Sequence, residues 1–203
     1  MKVKELEEII AEAKHGPLAS VFPQALWLAH NAGAQALELW LRLELGGYVD
    51  SNEAMTDDVT VPEYRTVAGT WHDEYGRPLI LNDPDLAFVN EIPFRSAISE
   101  VESLADARGI LAQPYPELSA VILDVLNVRV STFRFSPQQL KPVLHRVRSE
   151  LLQRLVAQRE DTPASPGGCA SAPTQEEILE LHPNIYGVGI NVKALYRRWR
   201  GPG

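Results

Sequence analysis

Cysteine is almost absent from this chain of 203 residues, because Cys169 is the single one. One thiol excludes an intramolecular disulfide framework and a multi-cysteine metal cluster. No apolar run approaches the roughly 20 residues that a membrane-spanning helix needs. The first eight residues mix lysine and glutamate and lack the apolar stretch of a secretory signal. These absences predict a cytoplasmic protein that does not engage a membrane.

Residues arranged for catalysis are also lacking. The histidines are scattered along the chain without the spacing of metal ligands, at His15, His30, His72, His145 and His182. No local set of serine, histidine and aspartate indicates nucleophilic catalysis. Gly187 and Gly189 are not followed by the third glycine of a dinucleotide-binding loop. The sequence therefore predicts no catalytic residue, no metal site and no cofactor, and it favours a protein that is not an enzyme.

Charge is distributed unevenly along the chain. Residues 1–128 contain 8 Lys/Arg and 21 Asp/Glu, whereas residues 129–203 contain 11 Lys/Arg and 6 Asp/Glu. This uneven distribution of charge suits pairing of the two halves, association with another subunit, or binding of nucleic acid. Separate solvated acidic and basic faces would give the same counts.

Hydrophobic periodicity predicts a helix-dominated α+β fold. Apolar side chains recur at helical spacing in six stretches, which are residues 3–14, 22–32, 34–45, 96–105, 116–125 and 140–155. Two regions, residues 64–81 and 126–135, are typical of strands; in the first, a turn at residues 73–76 separates a strand from a short return strand through Leu79 and Leu81. We expect these strands to form a small antiparallel sheet. The third helix, which is apolar around most of its circumference, is expected to be buried nearly all round.

Glu44 interrupts the apolar pattern of that third helix. At about 100° per residue, it lies opposite the polar stripe that contains Glu38 and Arg42. Burying a carboxylate there without a partner would destabilise the fold by roughly several kcal/mol, because the charge would lose its hydration. We therefore predict a structural ion pair, with Arg65 as the candidate partner. In the alternative, the helix frays before Gly46 and Glu44 reaches water.

Composition divides the chain into three parts. Residues 1–160 are predicted to form the folded domain, and residues 161–173, which lack apolar anchors, a flexible linker. Residues 174–203 form a basic and aromatic docking segment, whose candidate contact residues are Lys193, Tyr196, Arg197, Arg198, Trp199 and Arg200. These residues could pack on an acidic protein surface, or they could hold phosphates and stack on bases.

Four segments, in the same order, resemble the AbiTii domain of prokaryotic abortive-infection loci. Residues 37–48 are similar to its Trp-x-x-x-Glu-Leu-x-Gly-Tyr helix end, and residues 62–65 to its Pro-x-Tyr-Arg segment. Residues 92–102 resemble its central stretch and residues 143–152 its long C-terminal helix. The resemblance covers roughly residues 2–160.

The resemblance implies a bacterial cytoplasmic protein of anti-phage defence and supplies no catalytic residue. We expect a binding, sensor or scaffold module that associates with itself or with another protein of the defence system. The alternative is a toxin that binds nucleic acid through the basic segment 193–200.

Overall fold

The computed structural model describes residues 3–81 and 84–160. Its α-helices are α1 (Val3–His15), α2 (Leu18–Ala32), α3 (Gln35–Gly46), α4 (Ile98–Ala105), α5 (Pro116–Leu126) and α6 (Leu140–Glu160). Its strands are β1 (Thr66–Ala68), β2 (Thr70–His72), β3 (Glu91–Pro93), β4 (Leu111–Gln113) and β5 (Thr132–Phe135). The predicted α+β, helix-dominated fold is confirmed. In this part of the chain, no helix combines the length and apolarity needed to cross a membrane.

The strands form two small antiparallel sheets instead of the one that was expected. One sheet pairs β1 with β3, and the other has the order β2-β5-β4 with β5 in the centre. The expected return strand near residue 80 is reduced to a single bridge between His72 and Pro78, because proline has no N–H to continue a ladder. Residues 127–131 are not a strand either, since α5 runs to Leu126 and ends at Asn127 in a left-handed conformation.

Gly69 allows the chain to pass from one sheet to the other. A Cβ atom at this position would lie 2.5 Å from the Arg134 carbonyl oxygen and 2.5 Å from the Phe133 ring. Only a residue without a side chain permits so close an approach of two backbones. Gly69 therefore brings β2 alongside β5.

The hydrophobic core lies mainly between the helices. α6 packs along α1 and α4, and α2 packs against α3. The buried face of α6 is apolar and consists of Leu140, Val143, Val147, Leu151 and Leu155. α3 differs from the expectation that it is buried nearly all round, because Leu39 is 45% exposed. The side of α3 that carries Leu39 therefore faces solvent, whereas the side that carries Glu44 faces the core.

Candidate functional site

Three of the four segments that resemble the AbiTii domain, residues 37–48, 62–65 and 92–102, meet in one buried cluster around Glu44. Tyr48 donates its phenolic O–H to Glu44 Oε1 over 2.9 Å, and Tyr64 donates to the same oxygen over 2.9 Å. Trp40 extends the chain of donors, because its Nε1 donates to the Tyr64 hydroxyl over 2.9 Å. Trp40, Glu44 and Tyr48 are spaced by four residues, so they lie on the same side of α3 and its end.

Arg65 supplies the positive charge of this cluster. Its Nη2 lies 3.1 Å from Glu44 Oε2, and neither side chain has any exposed surface. The N–H groups of Nη2 are not aligned with that oxygen, so this contact is electrostatic. Nη1 instead donates to two backbone carbonyls, Phe94 O at 3.1 Å and Ser96 O at 2.7 Å. The guanidinium also stacks 5.0 Å from the centre of the Tyr48 ring.

Local backbone geometry places Tyr48 in this cluster. Gly47 has a φ of +80°, and a Cβ there would lie 2.7 Å from the Arg95 carbonyl oxygen. The Tyr48 backbone N–H donates to that same oxygen over 2.8 Å. The glycine before the tyrosine therefore turns the chain at the end of α3, and the turn directs the Tyr48 side chain back to Glu44.

Burial keeps both tyrosines protonated. Desolvation raises the pKa of Tyr48 well above its ordinary value, and the negative charge of Glu44 raises it further. The same two causes, in the same order, raise the pKa of Tyr64. Both phenols therefore remain donors to the carboxylate at any physiological pH. Because Glu44 and Arg65 have no solvent-accessible surface, this cluster holds α3 to the segments that follow it and does not present a group to a dissolved substrate.

A second candidate site is an open groove on the surface, which sequence reasoning did not identify. The groove has a volume of about 910 Å³ and lies between the turn that follows β2 and the end of α5. It is lined by residues 73–75, 77–80, 119, 120, 123 and 127–131. Four of these side chains are large, apolar and exposed, namely Tyr75 (75%), Ile80 (74%), Leu123 (40%) and Val128 (37%).

The wall of the groove is held by Asp73. Its Oδ1 accepts the backbone N–H groups of Tyr75 and Arg77 over 2.9 and 2.8 Å, and its Oδ2 accepts Arg77 Nε over 2.6 Å. Burial alone would raise the pKa of Asp73, but these donors bring it below its ordinary value. Arg77 in turn covers the Tyr75 ring, 5.1 Å from the centroid. The turn is therefore fixed by its own hydrogen bonds. Because the turn is polar, the sequence did not indicate an apolar site next to it at Ile80.

The predicted contact residues of the docking segment lie outside the described residues. These are Lys193, Tyr196, Arg197, Arg198, Trp199 and Arg200, and the expected linker 161–173 lies outside them too. Within residues 3–81 and 84–160, no three histidine, cysteine, aspartate or glutamate side chains are grouped so that they could hold a metal ion.

The fold and the buried cluster define a helix-dominated α+β protein that is organised around a carboxylate–guanidinium pair. The chain belongs to the AbiTii family, which matches residues 3–177 and therefore extends past the predicted domain boundary at residue 160. This membership associates the protein with abortive-infection defence. No curated protein and no solved structure matches the chain.

Proposed function

We propose that the protein is a binding module of an abortive-infection system and that it binds through the groove beside residues 73–80. The family supplies the defence context. The observation that carries the binding role is the grouping of four exposed apolar side chains, Tyr75, Ile80, Leu123 and Val128, on one concave surface. Exposed apolar surface concentrated in this way is typical of interaction sites, because leaving it hydrated costs free energy.

The occupant that we propose is the segment 185–200 of this chain, in the same molecule or in a second copy. Its sequence alternates apolar and small residues through Tyr186, Val188, Ile190 and Val192, and continues with Leu195 and Trp199. In an extended conformation the first four of these side chains would share one apolar face, which suits the groove.

The intervening chain is long enough for this docking. Residues 161–184 separate α6 from the segment. At about 3.3 Å per residue they span up to roughly 80 Å, which exceeds the width of a domain of this size. The segment can therefore reach the groove of its own molecule or that of a neighbour. Docking on a neighbour would make the protein self-associate, whereas docking on its own body would not.

Hydrogen exchange on the full chain tests the proposal. We expect amides in residues 185–200 to exchange more slowly than those in residues 161–173. The change Ile80→Gln should accelerate exchange in 185–200 by about tenfold, since removing one buried aliphatic contact costs roughly 1.5 kcal/mol. Leu39→Gln is the matched control, because Leu39 is an exposed aliphatic residue that lies on α3 and outside the groove.

Light scattering separates the two arrangements. If the segment docks on a neighbour, truncation after Pro173 lowers the number of chains per particle, and if it docks on its own body, the number of chains per particle stays the same. Unchanged exchange of residues 185–200 in the Ile80→Gln protein would refute the groove as the binding site.

Binding of nucleic acid is the competing function that the basic segment suggests. Its signature is salt-dependent retention of RNA or DNA that is lost when Arg197, Arg198 and Arg200 are changed to alanine. Retention of this kind, together with unprotected amides in residues 185–200, would favour that function over docking in the groove.

A further inference from the structure

The three-stranded sheet has one apolar face and one polar face. Its register pairs Thr70 with Arg134 and Ala112 with Arg134, so these three side chains lie side by side on the same face. His72 and Thr132 follow on that face, two residues further along their strands. The opposite face carries the aromatic residues Trp71, Phe133 and Phe135, all of which are buried in the core.

Arg134 is the charged residue at the centre of the polar face. The side chain is half-buried, and its Nε is fully buried without a hydrogen-bond partner. No ion pair or side-chain hydrogen bond joins this guanidinium to another residue of 3–81 or 84–160. Guanidinium groups in such positions ordinarily meet a carboxylate or phosphate, whose planar or tetrahedral oxygens match their paired donors.

The side chains of His72 and Arg134 both lie beside Gly76. The Nδ1 of His72 lies 2.9 Å from the Gly76 carbonyl oxygen, and since a carbonyl only accepts, Nδ1 carries the hydrogen. The second ring nitrogen, Nε2, is then free to accept a hydrogen bond from a ligand. A Cβ built on Gly76 would lie 3.5 Å from Arg134 Nη2, so the guanidinium also lies beside Gly76. The imidazole and the guanidinium therefore converge.

A cavity of about 490 Å³ opens over these groups. Its lining contains Thr70, His72, Arg134 and Ser136 and includes no aspartate or glutamate among the described residues. Ile110, which is 67% exposed, adds an apolar surface next to the polar groups. The volume falls within the range of small-molecule sites. A cation without a counter-charge, hydroxyl groups and an apolar surface together suit a phosphorylated ligand.

We propose that the polar face of the β2-β5-β4 sheet binds the phosphate group of a nucleotide. Arg134 supplies paired donors to the phosphate oxygens and the Thr70 hydroxyl supplies a further one, while Ile110 contacts the attached nucleoside and His72 Nε2 accepts from one of its hydroxyl or amino groups. The nucleotide is either a free small molecule or one unit of a nucleic-acid strand, because both present the same phosphate. This site does not depend on the groove, which lies on other residues.

Calorimetric titration of the full chain tests the site with three probes, which are inorganic phosphate, a nucleoside monophosphate and a single-stranded oligonucleotide. Arg134→Gln is expected to weaken nucleotide binding by at least about tenfold, as expected for loss of a charge-assisted contact of about 1.5 kcal/mol or more. Arg146→Gln is the matched control, because Arg146 is an exposed arginine on α6 and does not line this cavity.

A second pair of variants leaves Arg134 in place. Ala112 is exposed and lies directly opposite Arg134 in the register, so Ala112→Glu puts a carboxylate beside the guanidinium. We expect Ala112→Glu to abolish nucleotide binding by occupying the guanidinium, whereas Ala112→Gln, of the same size but neutral, leaves at least half of the affinity. Circular dichroism of both proteins shows whether the fold is intact.

The three probes also identify the source of the phosphate. Tight binding of the monophosphate supports a free nucleotide, and binding of the oligonucleotide alone, with a steep dependence on salt, supports a nucleic-acid strand. Either result supports the site only if Ala112→Glu eliminates it. Absence of binding for all three probes, or equal binding by the Ala112→Glu and Ala112→Gln proteins, would overturn the proposal. Neither result bears on the groove, since Ile80→Gln tests the groove separately.

Discussion

Glu44 and Arg65 are stabilising only as a pair. Neither side chain has any exposed surface, so both charges have lost their hydration. Burying either charge without the other would destabilise the fold by roughly several kcal/mol. The two tyrosine hydroxyls satisfy Glu44 Oε1 and two backbone carbonyls satisfy Arg65 Nη1, whereas Glu44 Oε2 and Arg65 Nη2 meet only each other. The pair therefore specifies how α3 meets the chain after residue 62.

Glu44→Gln removes the negative charge and keeps the shape of the side chain. Because Arg65 is then a buried and uncompensated cation, we expect the free energy of unfolding to fall by about 3–5 kcal/mol. Urea unfolding monitored by tryptophan fluorescence measures the change. Glu38→Gln, which affects the exposed ion pair with Arg42, is the control and should have little effect. Equal stabilities of the two variants would contradict this account of Glu44.

At the scale of elements, the ends of helices α1 and α2 are completed by distant side chains. Glu102 on α4 accepts the first two N–H groups of α2, from Leu18 at 2.6 Å and from Ala19 at 2.9 Å. Arg148 on α6 donates to the Ala13 and Gly16 carbonyls at the end of α1. Each charge has the sign that the helix dipole favours at that end. Pro17, the local N-cap residue of α2, makes no side-chain cap.

Glu102→Gln should loosen the first turn of α2. The neutral amide keeps one acceptor oxygen but loses the charge that favours this helix end, which contributes about 1 kcal/mol. We expect the amides of Leu18 and Ala19 to exchange roughly fivefold faster, while exchange in the core of α6 stays the same. Glu100→Gln, an exposed change on the same helix, is the matched control. Protection that is identical in the two variants would show that Glu102 is not the cap.

At the scale of the whole molecule, α6 joins the two ends of the folded chain. It packs on α1, α4, the short 3₁₀ helix Glu63–Arg65 and β1. Arg154 near its end also covers the Trp40 ring, 4.8 Å from the centroid. Because one helix touches the N-terminal helix, the cluster around Glu44 and the first sheet, damage to its buried face should weaken all of them together.

Leu151→Ala tests this cooperativity. Leu151 is fully buried on α6, and its truncation should lower the free energy of unfolding by about 2–5 kcal/mol. We expect one transition, with the same midpoint by far-ultraviolet circular dichroism and by tryptophan fluorescence. Gln153→Ala on the exposed side of α6 is the control. Separate transitions for the two probes would show that the domain does not unfold as one cooperative unit.

Sequence alone was sufficient for features that depend on neighbours along the chain. Helical periodicity located all six helices of the described residues to within a few positions, because burying one face of a helix requires apolar residues every three or four positions. The position of Glu44 on an apolar helix indicated that it needs a buried partner. The order of four segments, residues 37–48, 62–65, 92–102 and 143–152, indicated the family to which the chain belongs.

Tertiary structure decided whatever depends on side chains that are far apart in sequence. Strands β3 and β4 have three residues each, too few for an alternating pattern to be recognised. The caps on α1 and α2 come from residues up to 135 positions away. Nothing in the sequence places His72 and Arg134 beside the same glycine or groups Tyr75 with Val128. Periodicity specifies which residues are buried locally, whereas only the packing of elements determines which of them meet.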